Sequence, residues 1–152
     1  MEKLIIHLKE RNLTISTIES FTGGLFASEL SSVAGASQVF VGSLVAYDTK
    51  VKIDKLEIDA TWLEEVGVIS EACAIKLAQN GLDYFKSDIC ISFTGNAGPK
   101  VMEDKAVGLW YGAIATKDKL ISFMGMSNLS RNKMRSEAIH IMKERIQKEI
   151  LG

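Results

Sequence analysis

The chain has 152 residues, 47% hydrophobic and 24% charged, enough for one domain with a sizeable core. Its formal net charge of −1 argues against a general nucleic-acid binder, a class that is usually basic. No apolar run reaches the roughly 18 residues of a membrane span, and Met1–His7 is interrupted at once by polar residues and lacks a small-residue cleavage site, so neither a membrane segment nor a signal peptide is expected.

Residues 2–11 read as a helix, with Leu4, Ile5 and Leu8 on one face and His7 beside it. A short β-rich run, 14–18, leads into Glu19-Ser20-Phe21-Thr22-Gly23-Gly24, and a helix from about Gly23 to Val33 follows, with Gly35 as its stop. Paired glycines between a strand and a helix let a ligand approach the backbone, and the first N–H groups of a helix have no internal partners. Ser20 could be a nucleophile there; the plainer alternative makes Thr22 a helix cap and the glycines a turn. Val39–Tyr47 is apolar and β-branched and reads as a central strand. At Tyr47-Asp48-Thr49-Lys50-Val51-Lys52 the polarity changes abruptly, and two short helices are expected around 50–54 and 60–66.

Ser70 is a plausible N-cap for a longer helix whose Ile75, Ala78, Leu82 and Phe85 face a core, with Cys73 as a small apolar filler. Ile89–Phe93 is a buried strand, with Cys90 in its middle, and ends in a second glycine-rich turn, Thr94-Gly95-Asn96-Ala97-Gly98-Pro99, which holds the only proline. After the polar segment 100–105, strands 107–115 and 120–125 are separated by a short turn that suggests an antiparallel hairpin. The last helix starts near Ser130 and buries Met134, Ala138, Met142, Ile146 and Ile150, leaving His140 off that stripe.

Helices alternating with apolar strands, closed by a hairpin, predict a single domain over 1–152: a three-layer α/β/α sandwich with a mixed, mostly parallel sheet and a C-terminal antiparallel hairpin. Ligands sit at the carboxyl ends of strands in such sheets, and the Ser20 turn, the Tyr47–Lys52 segment and the Thr94–Pro99 turn all take that position.

The residues limit the chemistry. A Ser-His-Asp triad needs a histidine near the serine, and His7 and His140 lie within predicted helices at opposite ends of the chain. No paired metal-ligand spacing occurs, so no metal and no cofactor are expected. Cys73 and Cys90 are too far apart for a redox or metal motif and suggest a reducing, cytoplasmic setting. A G-x-G-x-x-G after the first strand is absent, and the S-x-x-K match at Ser130–Lys133 is short enough to arise by chance. A serine with a lysine base remains, because burial can lower a lysine pKa toward neutrality. Lys52 is the candidate, and the alternative is an ordinary surface lysine.

Several segments, in order, carry a resemblance. Glu19–Gly24 with Val33-Ala34-Gly35-Ala36-Ser37 resembles the E-S-x-T-G-G…A-G-(S/A)-S signature of the CinA C-terminal domain family, which includes the nicotinamide-nucleotide amidases. Tyr47 and Lys52 fit its Y-x-N-x-x-K segment, 67–72 its G-x-V-S-E-x run, Thr94–Pro99 its T-G-I-A-G-P and 105–108 its K-P-V-G. Arg131 and Arg135 fit its two basic positions at the start of the last helix. Departures fall at Thr49, at Asn96, in the glycine-free loop 100–104 and at Leu129-Ser130-Arg131.

The resemblance implies a stand-alone, homodimeric, cytoplasmic enzyme of pyridine-nucleotide salvage. It would hydrolyse the carboxamide of nicotinamide mononucleotide to nicotinic acid mononucleotide and ammonia, with that small nucleotide as its partner and no nucleic acid or membrane. Ser20 would attack the amide carbon, and Lys52 with Tyr47 would move the proton. N–H groups near Thr22 and Gly23 would hold the oxyanion, and Thr94, Gly95, Gly98 and Lys105 would contact substrate. Arg131 or Arg135 would meet the phosphate, and Glu19 would orient Lys52. The alternative is a catalytically altered or inactive module of the same kind, binding a nucleotide or other phosphorylated ligand.

Overall fold

The computed structural model describes residues 1–152. The elements in order are α1 (Glu2–Glu10), β1 (Ile15–Glu19), α2 (Leu25–Ser31), β2 (Phe40–Val45), α3 (Thr49–Leu56), α4 (Ala60–Val66), α5 (Glu71–Phe85), β3 (Ile89–Gly95), β4 (Leu109–Thr116), β5 (Leu120–Met126) and α6 (Arg131–Ile146), followed by a π-helical turn, Gln147–Leu151. Three helix starts follow from one polar residue each. Asp48, Asp59 and Ser70 accept from the backbone N–H of Lys50, Trp62 and Cys73, satisfying donors that the first turn leaves without partners.

The strands form one sheet in the order β2-β1-β3-β4-β5. β1 pairs in parallel with β2 and β3, whereas β4 runs antiparallel to both β3 and β5. Four of the five strands therefore point the same way, with β4 reversed and the β4–β5 hairpin closing one side. Side chains alternate along each strand, and the two faces are covered by different helices. Ile15, Ile91, Phe93, Trp110 and Ile114 pack with α1, α2 and α6 through Leu4, Leu8, Phe26, Leu30, Met134, Ala138 and Met142. Ile18 and Cys90 pack with α3, α4 and α5 through Leu56, Leu63, Cys73 and Leu77, and Ala113 and Ala115 meet Ala74 and Ala78. Gly81 seats α5 on the sheet, since a Cβ there would come within 2.5 Å of Ile18 and 2.6 Å of Cys90. No helix is long and apolar enough to cross a membrane.

One strand takes a different place from the one its sequence suggests. β2 is an edge strand, hydrogen-bonded only to β1, and Val41 and Val45 are 47% and 43% exposed. β1, with only five residues, holds the inner position instead. Apolar, β-branched composition reports that a segment is extended; it does not count how many neighbours the segment has.

Candidate active site

The sheet delivers Glu19 and Ser20 to opposite sides. Glu19 ends β1, and its carboxylate turns toward α2, where it accepts from the N–H of Gly24 (3.1 Å), Phe26 (3.2 Å) and Ala27 (2.9 Å) and from the Thr17 hydroxyl (3.2 Å). Glu19 is fully buried and caps α2 from a distance, so the expectation that it orients Lys52 is corrected: strand alternation sends it to the other face. Thr22 is not the cap either, because its buried hydroxyl has no hydrogen-bond partner. Gly23 and Gly24 take φ of +61° and +93°, which turn the chain into α2 without a Cβ penalty.

Ser20 faces α3. Lys52, four residues after the Asp48 cap, is 1% exposed and reaches back to the strand ends. Its Nζ donates to the Ala46 carbonyl (2.6 Å) and lies 3.4 Å from Ser20 Oγ. No carboxylate forms an ion pair with it. Burial pushes the ammonium below its ordinary value of 10.5, and Cys73, Asp48 and Glu103 nearby oppose that shift. Burial pushes the Cys73 thiol itself up to about 11, so at neutral pH it is uncharged and opposes little. The Ala46 carbonyl fixes one N–H of the amine, which orients the lone pair of the neutral form relative to Ser20.

The register Glu19↔Phe93 sets Thr94 beside Ser20 on the same face of neighbouring strands. Thr94 Oγ1 donates to the Val68 carbonyl, and the chain after it folds into a loop built around buried Asn96. Asn96 Nδ2 donates to the carbonyls of Lys100 (3.0 Å) and Lys105 (3.4 Å), and its Oδ1 accepts from Gly98 N–H (2.9 Å). The Gly98–Pro99 peptide bond is cis. Glu103 fastens the far side of the loop, accepting from the N–H of Val68 (2.9 Å) and Ile69 (3.1 Å).

These parts enclose a cavity of about 120 Å³ lined by Ser20, Phe21, Tyr47, Thr49, Lys52, Val68, Ile69, Thr94, Gly95, Asn96, Ala97, Gly98, Met102 and Arg131. Of the residues singled out in the sequence, Ser20, Lys52, Tyr47, Thr94, Gly95, Gly98 and Arg131 therefore meet there. Tyr47 stands at the rim, 60% exposed, and bonds to neither Ser20 nor Lys52, contrary to the expectation that it shares the proton transfer. Glu19, Thr22, Gly23, Lys105 and Arg135 do not line the cavity. Gly23 N–H is already bonded to the Ser20 carbonyl (3.0 Å), so it is no free oxyanion donor, whereas the amides of Phe21 and Thr22 donate to no group of the chain. Arg135 grips the Thr22 carbonyl through Nη2 (2.6 Å) and Nε (3.2 Å). Arg131 donates to the Gly98 carbonyl at the mouth. No group of three or more His, Cys, Asp or Glu side chains is placed to hold a metal ion.

Sequence reasoning passed over Phe21, Val68, Ile69 and Met102 as lining residues and Glu103 as the tie of the loop. The sequence signals for the Val68–Ile69 wall are its position between Gly67 and the Ser70 cap and the match of 67–72 to the G-x-V-S-E-x run.

Comparison with known proteins places this arrangement. The chain is 45% identical over 117 residues to a competence-damage inducible protein of Geobacillus sp. (strain WCH70), an alignment covering 77% of the chain and 28% of that relative. It is 37% identical over 139 residues to the protein of the same description from Listeria welshimeri, covering 91% of the chain and 34% of that relative. The chain thus spans about a third of the length of the curated relatives it matches, or less. The crystal structure of competence/damage inducible protein CihA from Agrobacterium tumefaciens superposes with a TM-score of 0.91 at 27% identity, covering 95% of this chain and 90% of that one. A competence damage-inducible protein from Klebsiella pneumoniae shares the fold, with a TM-score of 0.92 at 22% identity over 97% of this chain and 95% of its own. The model of the CinA C-terminal domain matches residues 1–150, so the segments from the Ser20 turn to α6 are one family pattern, and the chain belongs to the CinA C-terminal domain family.

Proposed function

We propose that the chain hydrolyses a carboxamide by a serine–lysine mechanism, with nicotinamide mononucleotide as substrate. The observation that carries this reading is Lys52: a buried amine with no ion-pair partner, 3.4 Å from a serine hydroxyl at the mouth-facing end of a strand. A lysine kept for structure would be expected to reach solvent or a carboxylate. The neutral amine takes the Ser20 proton as Oγ bonds to the amide carbon, and the carbonyl oxygen becomes an oxyanion beside the free N–H group of Phe21, which lines the cavity. Lys52 passes the proton to the amide nitrogen, ammonia leaves, and Ser20 is left as an ester. Water then attacks with Lys52 again as base, releasing the carboxylate and restoring the hydroxyl.

The cavity, about 120 Å³, is well below the roughly 300–1,000 Å³ of a pocket that swallows a whole drug-sized ligand. It suits the amide-bearing ring alone. The ribose phosphate extends past the mouth, where Arg131 supplies the guanidinium.

The test is ammonia release from nicotinamide mononucleotide by the purified chain, with nicotinamide and unrelated amides as controls and nicotinic acid mononucleotide as the co-product. Release no faster than from a Ser20→Ala control would end the proposal.

The pH dependence follows from the lysine. The base must be neutral, and burial holds its pKa below 10.5. Accordingly kcat/KM should rise with pH and level off through an apparent pKa under that value. Stability should move in the same direction. The charged amine is disfavoured in the folded state, a cost present in full below the folded pKa and lost as pH rises toward 10.5. A kcat/KM that showed no rising limb at any pH below 10.5 at which the chain stays folded would remove Lys52 as the base.

A further inference from the structure

We infer that Arg135 is a positioning residue for the nucleophile turn and takes no part in holding phosphate. The inference rests on the amidase reading for what the turn does, and on geometry alone for what Arg135 touches. Its guanidinium makes two hydrogen bonds to one backbone carbonyl, that of Thr22, and Nη1 is 3.3 Å from Asn132 Oδ1 on its own helix. It is half-buried, and it packs on Gly23 so closely that a Cβ there would lie 3.1 Å from Nη2.

The carbonyl it grips belongs to the peptide group joining Thr22 to Gly23. The N–H of that same group donates to the Ser20 carbonyl at 3.0 Å. The chain of bonds therefore runs from the Arg135 cation, through one peptide plane, to the residue that carries the attacking hydroxyl. A cation on the carbonyl end polarises the amide and strengthens the bond at its N–H end. Glu19 holds the next amide, Gly24, from below. With the Thr22 carbonyl and the Gly23 and Gly24 amides all engaged, the turn cannot rotate its peptides. Of its remaining amides, that of Phe21, which lines the cavity, stays free for a ligand.

Arg131, one turn earlier on α6, is exposed at the cavity mouth and lines it, whereas Arg135 does not. The two arginines of this helix thus divide the work: Arg131 faces the substrate side, and Arg135 faces the turn.

The experiment compares Arg135→Ala, Arg135→Lys and Arg131→Ala in the full chain. Ammonia release from nicotinamide mononucleotide gives kcat and KM, and amide hydrogen exchange is followed at residues 20–24 and in β1 and β3. Misplacing a reacting group by about 1 Å can cost on the order of a hundredfold. Arg135→Ala should therefore lower kcat by about tenfold to a hundredfold with KM little changed, and millimolar guanidinium should restore part of the rate. Arg135→Lys keeps the charge with a single point of contact and should fall between. Arg131→Ala should raise KM instead. Exchange at Gly23 and Gly24 should accelerate in Arg135→Ala while β1 and β3 keep their protection. The exchange arm reads the turn without substrate, so it decides the inference even if nicotinamide mononucleotide is not turned over. Unchanged exchange at Gly23 and Gly24, or a rise in KM at constant kcat in Arg135→Ala, would overturn it.

Discussion

Ser20→Ala and Lys52→Ala are each expected to reduce turnover of nicotinamide mononucleotide by about four orders of magnitude or more, the scale seen when a nucleophile or its base is removed from a unit that acts as one. The double variant should be scarcely worse than either single one, because each substitution already disables the same proton transfer. Lys52→Arg should fail as well, since a guanidinium does not release its proton in this pH range. The geometry adds a sharper control. Lys52 is 1% exposed, so Lys52→Ala leaves a hole that could lower stability and confuse the result. Lys52→Met keeps most of the packing of the stem and removes a buried amine whose charged form burial disfavours. It should abolish turnover without lowering the melting temperature, which separates loss of chemistry from loss of fold. A Ser20→Ala protein that kept its rate would move the chemistry to Thr94 or an activated water. The Thr22 hydroxyl could not take over, because it is buried away from the cavity.

The legible parts of this molecule are those set by neighbours in sequence. The cap at Ser70 is read from one side chain and the run that follows. The hairpin follows from two apolar runs and a four-residue turn. The meeting of Ser20, Lys52 and Thr94 follows from their positions after strands of one orientation, since the carboxyl ends of such strands share an edge.

What was not legible depends on contacts between distant segments. Glu19 and Ser20 are adjacent in sequence, and only the pairing of β1 within the sheet decides that one faces α2 and the other α3. A carboxylate beside a serine suggests a partner for the nearby lysine, yet the unpaired amides of α2 are closer and take it. Arg135 is 113 residues from Thr22, and nothing in α6 announces which carbonyl it will meet. Glu103 reaches Val68 across 35 residues from a loop that carries no glycine at its tip. There Glu103 and Asp104 adopt φ of +51° and +57°, positions where glycine would cost less. Asn96 reads as a departure from the family's T-G-I-A-G-P turn, and its side chain supplies the bonds that fold the loop.

Replacing Glu19 should produce the largest loss of stability of any substitution at the site, although the residue does not touch the cavity. Its carboxylate is fully buried and accepts from three backbone amides and one hydroxyl. In Glu19→Ala the N–H groups of Gly24, Phe26 and Ala27 lose their acceptor, and α2 begins at Gly24, which offers no side chain to replace it. Each buried donor left unsatisfied costs about 1–3 kcal/mol. Partial relaxation of the first turn of α2 reduces the sum, so a loss of about 3–5 kcal/mol is expected. For a domain of this size that is roughly 10 °C or more in melting temperature, and a large part of the 5–15 kcal/mol that typically holds a domain together. Glu19→Gln tests the cause. It keeps the volume but turns one acceptor into an NH₂ donor facing other donors, so it should recover only part of the loss. Glu19→Asp keeps the charge on a shorter stem and should also recover only part. Thermal unfolding of the three variants, with β1 and α2 followed by hydrogen exchange, measures both the size of the effect and its location. If Glu19→Ala melted within 2–3 °C of the parent chain, a shift worth only about 1 kcal/mol, α2 would not depend on this carboxylate. The family's glutamate before the nucleophile would then need a role on the cavity side of the strand.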